Sequence, residues 1–234
     1  MLRLHVADGP AADGTVRLAR SDLRHVRVLR LGPGDRLRVF DDAGREHEVV
    51  LDRVSAREAV GRIVATSVPA RESSLELVLA PALVKHDRMD WIVEKATELG
   101  VVRIAPVVAH HGVARGAPVE RWRRLAVAAT QQCGRTRVPQ IDPPRPFDEV
   151  VRGPWPGLRL LAWEDEPTAR FADLPGAAPA VTVVVGPEGG LHPDEVAAAR
   201  AAGFATVSLG RRVLRAETAA VVAVAICQHR WGDG

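Results

Sequence analysis

Two short runs near the end of this chain carry most of its chemistry. The first, Gly186-Pro187-Glu188-Gly189-Gly190, sets one carboxylate among glycines and a proline. The second, Gly210-Arg211-Arg212-Val213-Leu214-Arg215-Ala216-Glu217-Thr218, sets guanidinium groups and a second carboxylate among apolar residues. Glycines admit positive φ and let backbone approach a ligand closely. Guanidinium groups aimed at a reacting centre stabilise an anion developing there, and a neighbouring carboxylate orients them or takes a proton. The alternative is a pair of tight turns bearing a solvated charge run. For the first run taken singly that alternative is at least as good; both runs in this order favour a ligand site.

The flanking elements explain how the two runs come together. Val181 to Val185 reads as a buried strand leading into the first loop. Pro193 suits the first position of the helix that follows, where its missing N–H costs nothing, and this alanine-rich helix stops at Gly203. A second strand, Ala205 to Leu209, leads into the arginine loop, and a final helix runs from Glu217 to Trp231. That helix is almost wholly apolar through Ile226, so it must be covered on most sides, by the core or by a second subunit. Two strand–loop–helix units thus present both loops at the carboxyl ends of neighbouring strands, where open α/β sheets bind ligands. No Walker or G-x-G-x-x-G signature is present, and no G-x-S-x-G supports a hydrolase.

At 234 residues the chain suits one large or two modest domains. A hydrophobic content of 47% and a mean hydropathy of −0.02 indicate a soluble globular protein. Its two cysteines, Cys133 and Cys227, are far apart, which argues against a disulfide framework or zinc cluster. Cys133 reads as a packing residue. His110 and His111 lack nearby carboxylates or cysteines and make a poor metal site, so no metal is expected. With no secretory signal and no apolar run of membrane-spanning length, the expected compartment is a reducing cytoplasm. The net charge of +3 says little about nucleic acid. Arginine far outnumbers lysine, but general composition accounts for that, and clusters must carry the inference.

Residues 1–70 read as a small β-rich domain, with runs at 36–40, 46–54 and 59–64 separated by turn chemistry at 32–35 and 41–44. One helix is expected, Ser21 to Leu31, with Ser21 as N-cap and Gly32 just past its end. Arg20, Arg24 and Arg27 share one side of it, and Val26 and Leu29 point away. With Arg17 and Arg30 they form either a phosphate-contacting surface or a solvated helix face. A polar linker at 69–74 marks the boundary. Beyond it come a strand at 75–80, a helix at 86–99, a strand at 101–108, a helix at 118–133, an irregular stretch at 140–157 and a strand at 158–163.

Four segments carry a family resemblance. They are the region from Val181 to Ala219, KHDRMDWIVEKATELGV (85–101), QQCGRTRVP (131–139) and HVRVLRLGPGDRLRVFDDAG (25–44). Together they resemble the ribosomal RNA small-subunit methyltransferase E family of SPOUT methyltransferases. The resemblance implies an α/β, trefoil-knotted methyltransferase domain over 71–234, preceded by a PUA-like, RNA-binding β-barrel over 1–70. It implies an S-adenosylmethionine-dependent, homodimeric enzyme making 3-methyluridine in 16S ribosomal RNA of the small subunit. Cofactor contacts fall to Trp163 and Glu164, to Gly186, Pro187, Glu188, Gly189 and Gly190, and to Leu209, Gly210, Val213, Leu214 and Thr218. Trp163 serves equally as core cover. RNA contacts fall to Arg20, Arg24, Arg27, Lys85, Arg88, Gln132, Arg135 and Arg137, whereas Lys95 reads as a structural partner of Glu94 or Glu98. The chain departs from the family at 109–115, where AHHGVAR replaces a Ser-Glu-Arg-like segment and Arg115 is the available substitute.

Uridine N3 attacks a methyl donor only as its proton leaves, so a base or a charge-stabilising cation is required. Arg215, with Arg212 or Arg211, suits the cationic part. Glu217 either orients an arginine and helps the proton depart or merely suits the helix dipole. Action on transfer RNA or a ribose 2′-hydroxyl, or non-catalytic RNA binding, are the competing readings.

Overall fold

The computed structural model describes residues 1–112 and 117–234, the side chain of His86 excepted, so Arg115 lies outside the described residues. Residues 1–72 and 130–138 form one compact unit, and residues 73–129 and 139–234 a second.

The first unit contains β1 (Arg3–His5), β2 (Thr15–Arg17), α1 (Leu23–Val28), β3 (Arg36–Phe40), β4 (Glu46–Val54) and β5 (Ala59–Ser67). Its described strands make a five-stranded sheet in the order β1-β3-β4-β5-β2; β1 pairs with β3 in parallel and the remaining pairs are antiparallel. Alternation along β3 and β4 turns Leu37, Val39, Val49 and Leu51 onto one core with Leu4, Val16, Leu23 and Val26. Gly61 is obligatory on β5, because a Cβ there would sit 2.5 Å from the Val50 carbonyl oxygen.

Helix α1 is shorter than the Ser21–Leu31 span that capping signals suggest. It begins after Asp22, which makes no side-chain cap bond, and Arg30 takes a left-handed φ of 54° that ends helical geometry. Leu29, expected on the apolar side, is 53% exposed for that reason.

Residues 130–138 close this unit. Arg3 Nη1 donates to the Thr130 carbonyl at 2.9 Å, and Asp42 accepts from the Val138 N–H at 2.8 Å. The Glu72 carboxylate accepts from the N–H groups of Thr136 and Arg137 at 2.7 and 3.1 Å and pairs with Arg135 at 2.9 Å.

The second unit contains β6 (Glu76–Pro81), α2 (His86–Glu98), β7 (Arg103–Ile104), β8 (Val107–Val108), most of α3 (Val119–Cys133), β9 (Gln140–Ile141), β10 (Arg145–Pro146) and α4 (Phe147–Val151). It continues through β11 (Leu158–Ala162), β12 (Ala180–Val185), α5 (Pro193–Ala201), β13 (Ala205–Val207) and α6 (Ala216–Trp231). The described strands β13-β11-β12-β6-β7-β9 form a parallel sheet, and β10 pairs with β8. Covered on both faces, β6 beyond its exposed first residue, Glu76, and β12 apart from Thr182 are apolar, which is why they read as hydrophobic runs. The strand expected over 101–108 is broken in two, because Pro106 lacks the N–H a continuous ladder needs. The stretch 140–157, expected to be irregular, contains two short strands and α4, whose Phe147, Val150 and Val151 enter the core. Helix α6 packs on α2, β6 and β12. Among the described residues no helix is long and apolar enough to cross a membrane.

Candidate cofactor and catalytic site

The order β13-β11-β12 sets three strand ends side by side, at Val207, Ala162 and Val185. The loops leaving those ends and the first turns of α6 line one open cavity. Trp163 and Glu164 line it after β11, Gly186, Pro187 and Glu188 after β12, and Leu209, Gly210, Arg212, Val213 and Leu214 after β13. Sequence reasoning missed Ala162, Val185, Ser208, Ala216 and Ala219, which complete the wall. Ser208 was detectable as the polar residue ending a buried strand, and its hydroxyl donates to the Gly210 carbonyl at 3.1 Å. The two small side chains on α6 give no comparable signal.

Gly189, Gly190 and Thr218, expected at the ligand, are not on this wall. The glycines shape the loop from behind. Gly190 has φ 73°, and a Cβ on it would stand 2.5 Å from Glu164 Oε1; one on Gly189 would stand 2.9 Å from the His111 Cβ. Thr218 sits half-buried in the first turn of α6.

Hydrogen bonds fix each loop. Glu195 Oε2 accepts from the N–H of His192, the N-cap of α5, at 2.9 Å, and its Oε1 accepts from His110 N–H at 2.8 Å. Behind β11, Glu166 accepts from the Thr206 hydroxyl at 2.5 Å and from the N–H groups of Thr168 and Ala169. The Thr206 bond above all, then the Ala169 N–H, lowers its carboxyl to about 2. Trp163 both lines the cavity and packs on the core, with the Arg200 guanidinium 5.3 Å from its ring centre.

The charged groups are distributed unevenly. Arg212 is exposed on the cavity wall, and Arg215, also exposed, is the N-cap of α6 between the lining residues Leu214 and Ala216. Arg211 faces an adjoining hollow with Arg170 and Thr168. Glu217 lies in the first turn of α6 with its Oε1 3.6 Å from Arg88 Nε, and Arg88 Nη1 donates to Glu188 Oε1 at 2.5 Å. Lys85 is exposed at the start of α2. Lys95 donates to Glu94 at 2.7 Å and Glu98 at 2.9 Å, as a structural partner would.

Within the first unit Arg17, Arg20, Arg24, Arg27 and Arg30 are all exposed, as are Gln132 and Arg137. Arg135 differs. It is 4% exposed and its guanidinium pairs with Glu72, which makes it an internal strut.

A family profile described as an RNA methyltransferase domain matches residues 71–228, and one described as an RNA methyltransferase PUA domain matches 18–64. The Mycobacterium bovis ribosomal RNA small subunit methyltransferase E is 35% identical over 219 residues, covering 87% of this chain and 83% of that protein. The chain belongs to the ribosomal RNA small subunit methyltransferase E family. The Synechocystis member is 32% identical over 234 residues, covering 95% of this chain and 76% of its own length. Among solved structures, the Neisseria gonorrhoeae member bound to S-adenosyl methionine superposes with a TM-score of 0.91 at 32% identity, covering 100% of this chain and 99% of that one. A Legionella pneumophila methyltransferase in complex with SAM gives 0.93 at 30% identity over the same shares of the two chains. Family membership accounts for the mixed α/β fold with its PUA-like amino-terminal domain.

Proposed function

We propose that this chain transfers a methyl group from S-adenosylmethionine to N3 of a uridine in 16S ribosomal RNA, acting as a cytoplasmic homodimer. The observation that carries this reading is the convergence of three strand ends and the start of α6 on one cavity, with a guanidinium on its wall. Similarity to family members crystallised with the cofactor supports it. So does the lining, which sets main-chain polar groups and apolar side chains around one hollow. The main chain of Gly186–Glu188 and Leu209–Leu214 would meet the cofactor's polar ends, and Val185, Leu209 and Leu214 its apolar ring faces.

When bound, S-adenosylmethionine supplies a methyl group on a sulfonium, open to in-line displacement. The protein's own part is to hold and polarise the acceptor. The N3 lone pair is delocalised into two carbonyls, and N3 becomes a good nucleophile only as its proton departs. Arg215 or Arg212 would take up the negative charge that then develops on O2 or O4. Glu217, paired with Arg88, is placed to orient an arginine, and its first-turn position also suits the α6 dipole.

Two further parts of the reading have their own support. Val221, Val222 and Ile226 are only half-buried and Ala225 is exposed in the single chain, leaving apolar α6 surface for a second copy. The high superposition on solved family members favours the knotted path for the chain's last segment.

The test is labelled-methyl transfer to 16S ribosomal RNA and to small subunits from cells lacking this protein, with the product mapped by mass spectrometry. A methyl on uridine N3 is expected. A methyl on a ribose hydroxyl, on transfer RNA alone, or on no RNA would overturn the proposal.

A further inference from the structure

Arg88, in the first turn of α2, stands between acidic groups from two of the elements around the cavity, the loop after β12 and the first turn of α6. Its Nη1 donates to Glu188 Oε1 at 2.5 Å, and its Nε lies 3.6 Å from Glu217 Oε1. The three side chains are 31%, 33% and 15% exposed, shielded enough for charge to matter. The other oxygen of Glu217, Oε2, is buried without a hydrogen-bond partner among the described residues. Without the guanidinium, two carboxylates would face one gap, one of them poorly solvated, and they would repel. One lies in the loop after β12 and the other in α6 just past the loop after β13, so repulsion would spread the cavity's two walls.

We propose that Arg88 is a positioning residue, an ionic clamp that sets the spacing of the two cofactor loops and so the affinity for S-adenosylmethionine. This rests on the functional reading above and replaces the RNA-phosphate contact suggested by sequence. A planar guanidinium bridges two carboxylates from separate nitrogens, whereas a lysine ammonium, a point charge, serves one of them well.

The experiment is calorimetric titration of S-adenosylmethionine into the full-length protein without RNA, alongside methylation kinetics with separate KM values for cofactor and RNA. The variants are Arg88→Met, which keeps the aliphatic stem, Arg88→Lys, Glu188→Gln and the double change Arg88→Met/Glu188→Gln. Arg88→Met is expected to weaken cofactor binding about tenfold, Arg88→Lys by less, and the double change by no more than Arg88→Met. The KM for RNA should stay put. If Arg88→Met fails to fold, Arg88→Lys, which keeps the charge, carries the same measurement. Unchanged cofactor affinity with a raised RNA KM and a salt dependence shallower by about one phosphate contact would overturn the clamp in favour of an RNA contact. A wild-type protein that binds no S-adenosylmethionine would overturn the functional reading and the clamp with it; normal wild-type binding with unaltered variants overturns the clamp alone.

Discussion

Replacing Gly190 by alanine tests how the glycine loop shapes the cavity. Gly190 holds a φ of 73°, and a left-handed conformation costs an L-residue about 1–2 kcal/mol. The added Cβ would meet Glu164 Oε1 at 2.5 Å. That atom ends a flexible, exposed side chain, so moving it adds under about 1 kcal/mol. The sum, about 2 kcal/mol, lowers the melting temperature of a chain this size by roughly 4–8 °C. The second consequence is local: Glu164 lines the cavity, so a displaced carboxylate should weaken S-adenosylmethionine binding about tenfold. Gly190→Asn separates the two effects. Asparagine tolerates positive φ better, so it should restore part of the melting temperature, yet its Cβ displaces Glu164 just as alanine's does. Scanning calorimetry and cofactor titration on the three proteins give both numbers. A Gly190→Ala protein that melts with wild type refutes the strain, and one that melts early but binds normally refutes the role given to Glu164.

Three further outcomes are expected. Arg215→Ala should lower the methylation rate about a hundredfold with cofactor affinity unchanged, as single-turnover assays and titration would show, and a full rate would remove Arg215 from the chemistry. Glu166 has a carboxyl lowered from 4.5 to about 2, so its contribution is complete above pH 4.5 and is lost as pH falls toward 2. Glu166→Gln should therefore cost about 2 kcal/mol at neutral pH, with the acid-unfolding curves of variant and wild type converging near pH 2; curves that stay parallel would contradict this. Arg135→Met should destabilise the protein by about 3 kcal/mol in denaturant titrations, since it strands Glu72, while RNA affinity measured on the folded fraction stays the same.

What the sequence disclosed depended on distance along the chain. The apolar runs at β6 and β12, the proline opening α5 and Gly203 behind it are local signals, and each element formed where those signals lie. Both loops at the cavity were legible for the same reason, being short runs attached to strand ends. Pro106 is just as local a signal, and it divides the strand into β7 and β8. The strut from Arg135 to Glu72 was not legible, because the carboxylate that claims the guanidinium lies 63 residues earlier and only tertiary structure joins them. Arg88 shows the same limit: its acidic partner in the glycine loop is 100 residues away. A charged side chain in a family motif reads as a ligand contact until the fold supplies an internal counter-charge.

The strap formed by residues 130–138 bears on how this protein is made. A ribosome delivers residues 1–72 first, yet Asp42 and Glu72 meet their backbone donors only after residues 73–129 have also emerged. The amino-terminal sheet is thus born unfinished and is sealed by a later stretch of the polypeptide. A fragment ending at residue 72 should be a poor stand-in for the native domain, and a fragment library meant to isolate it must carry that distant strap as a second piece.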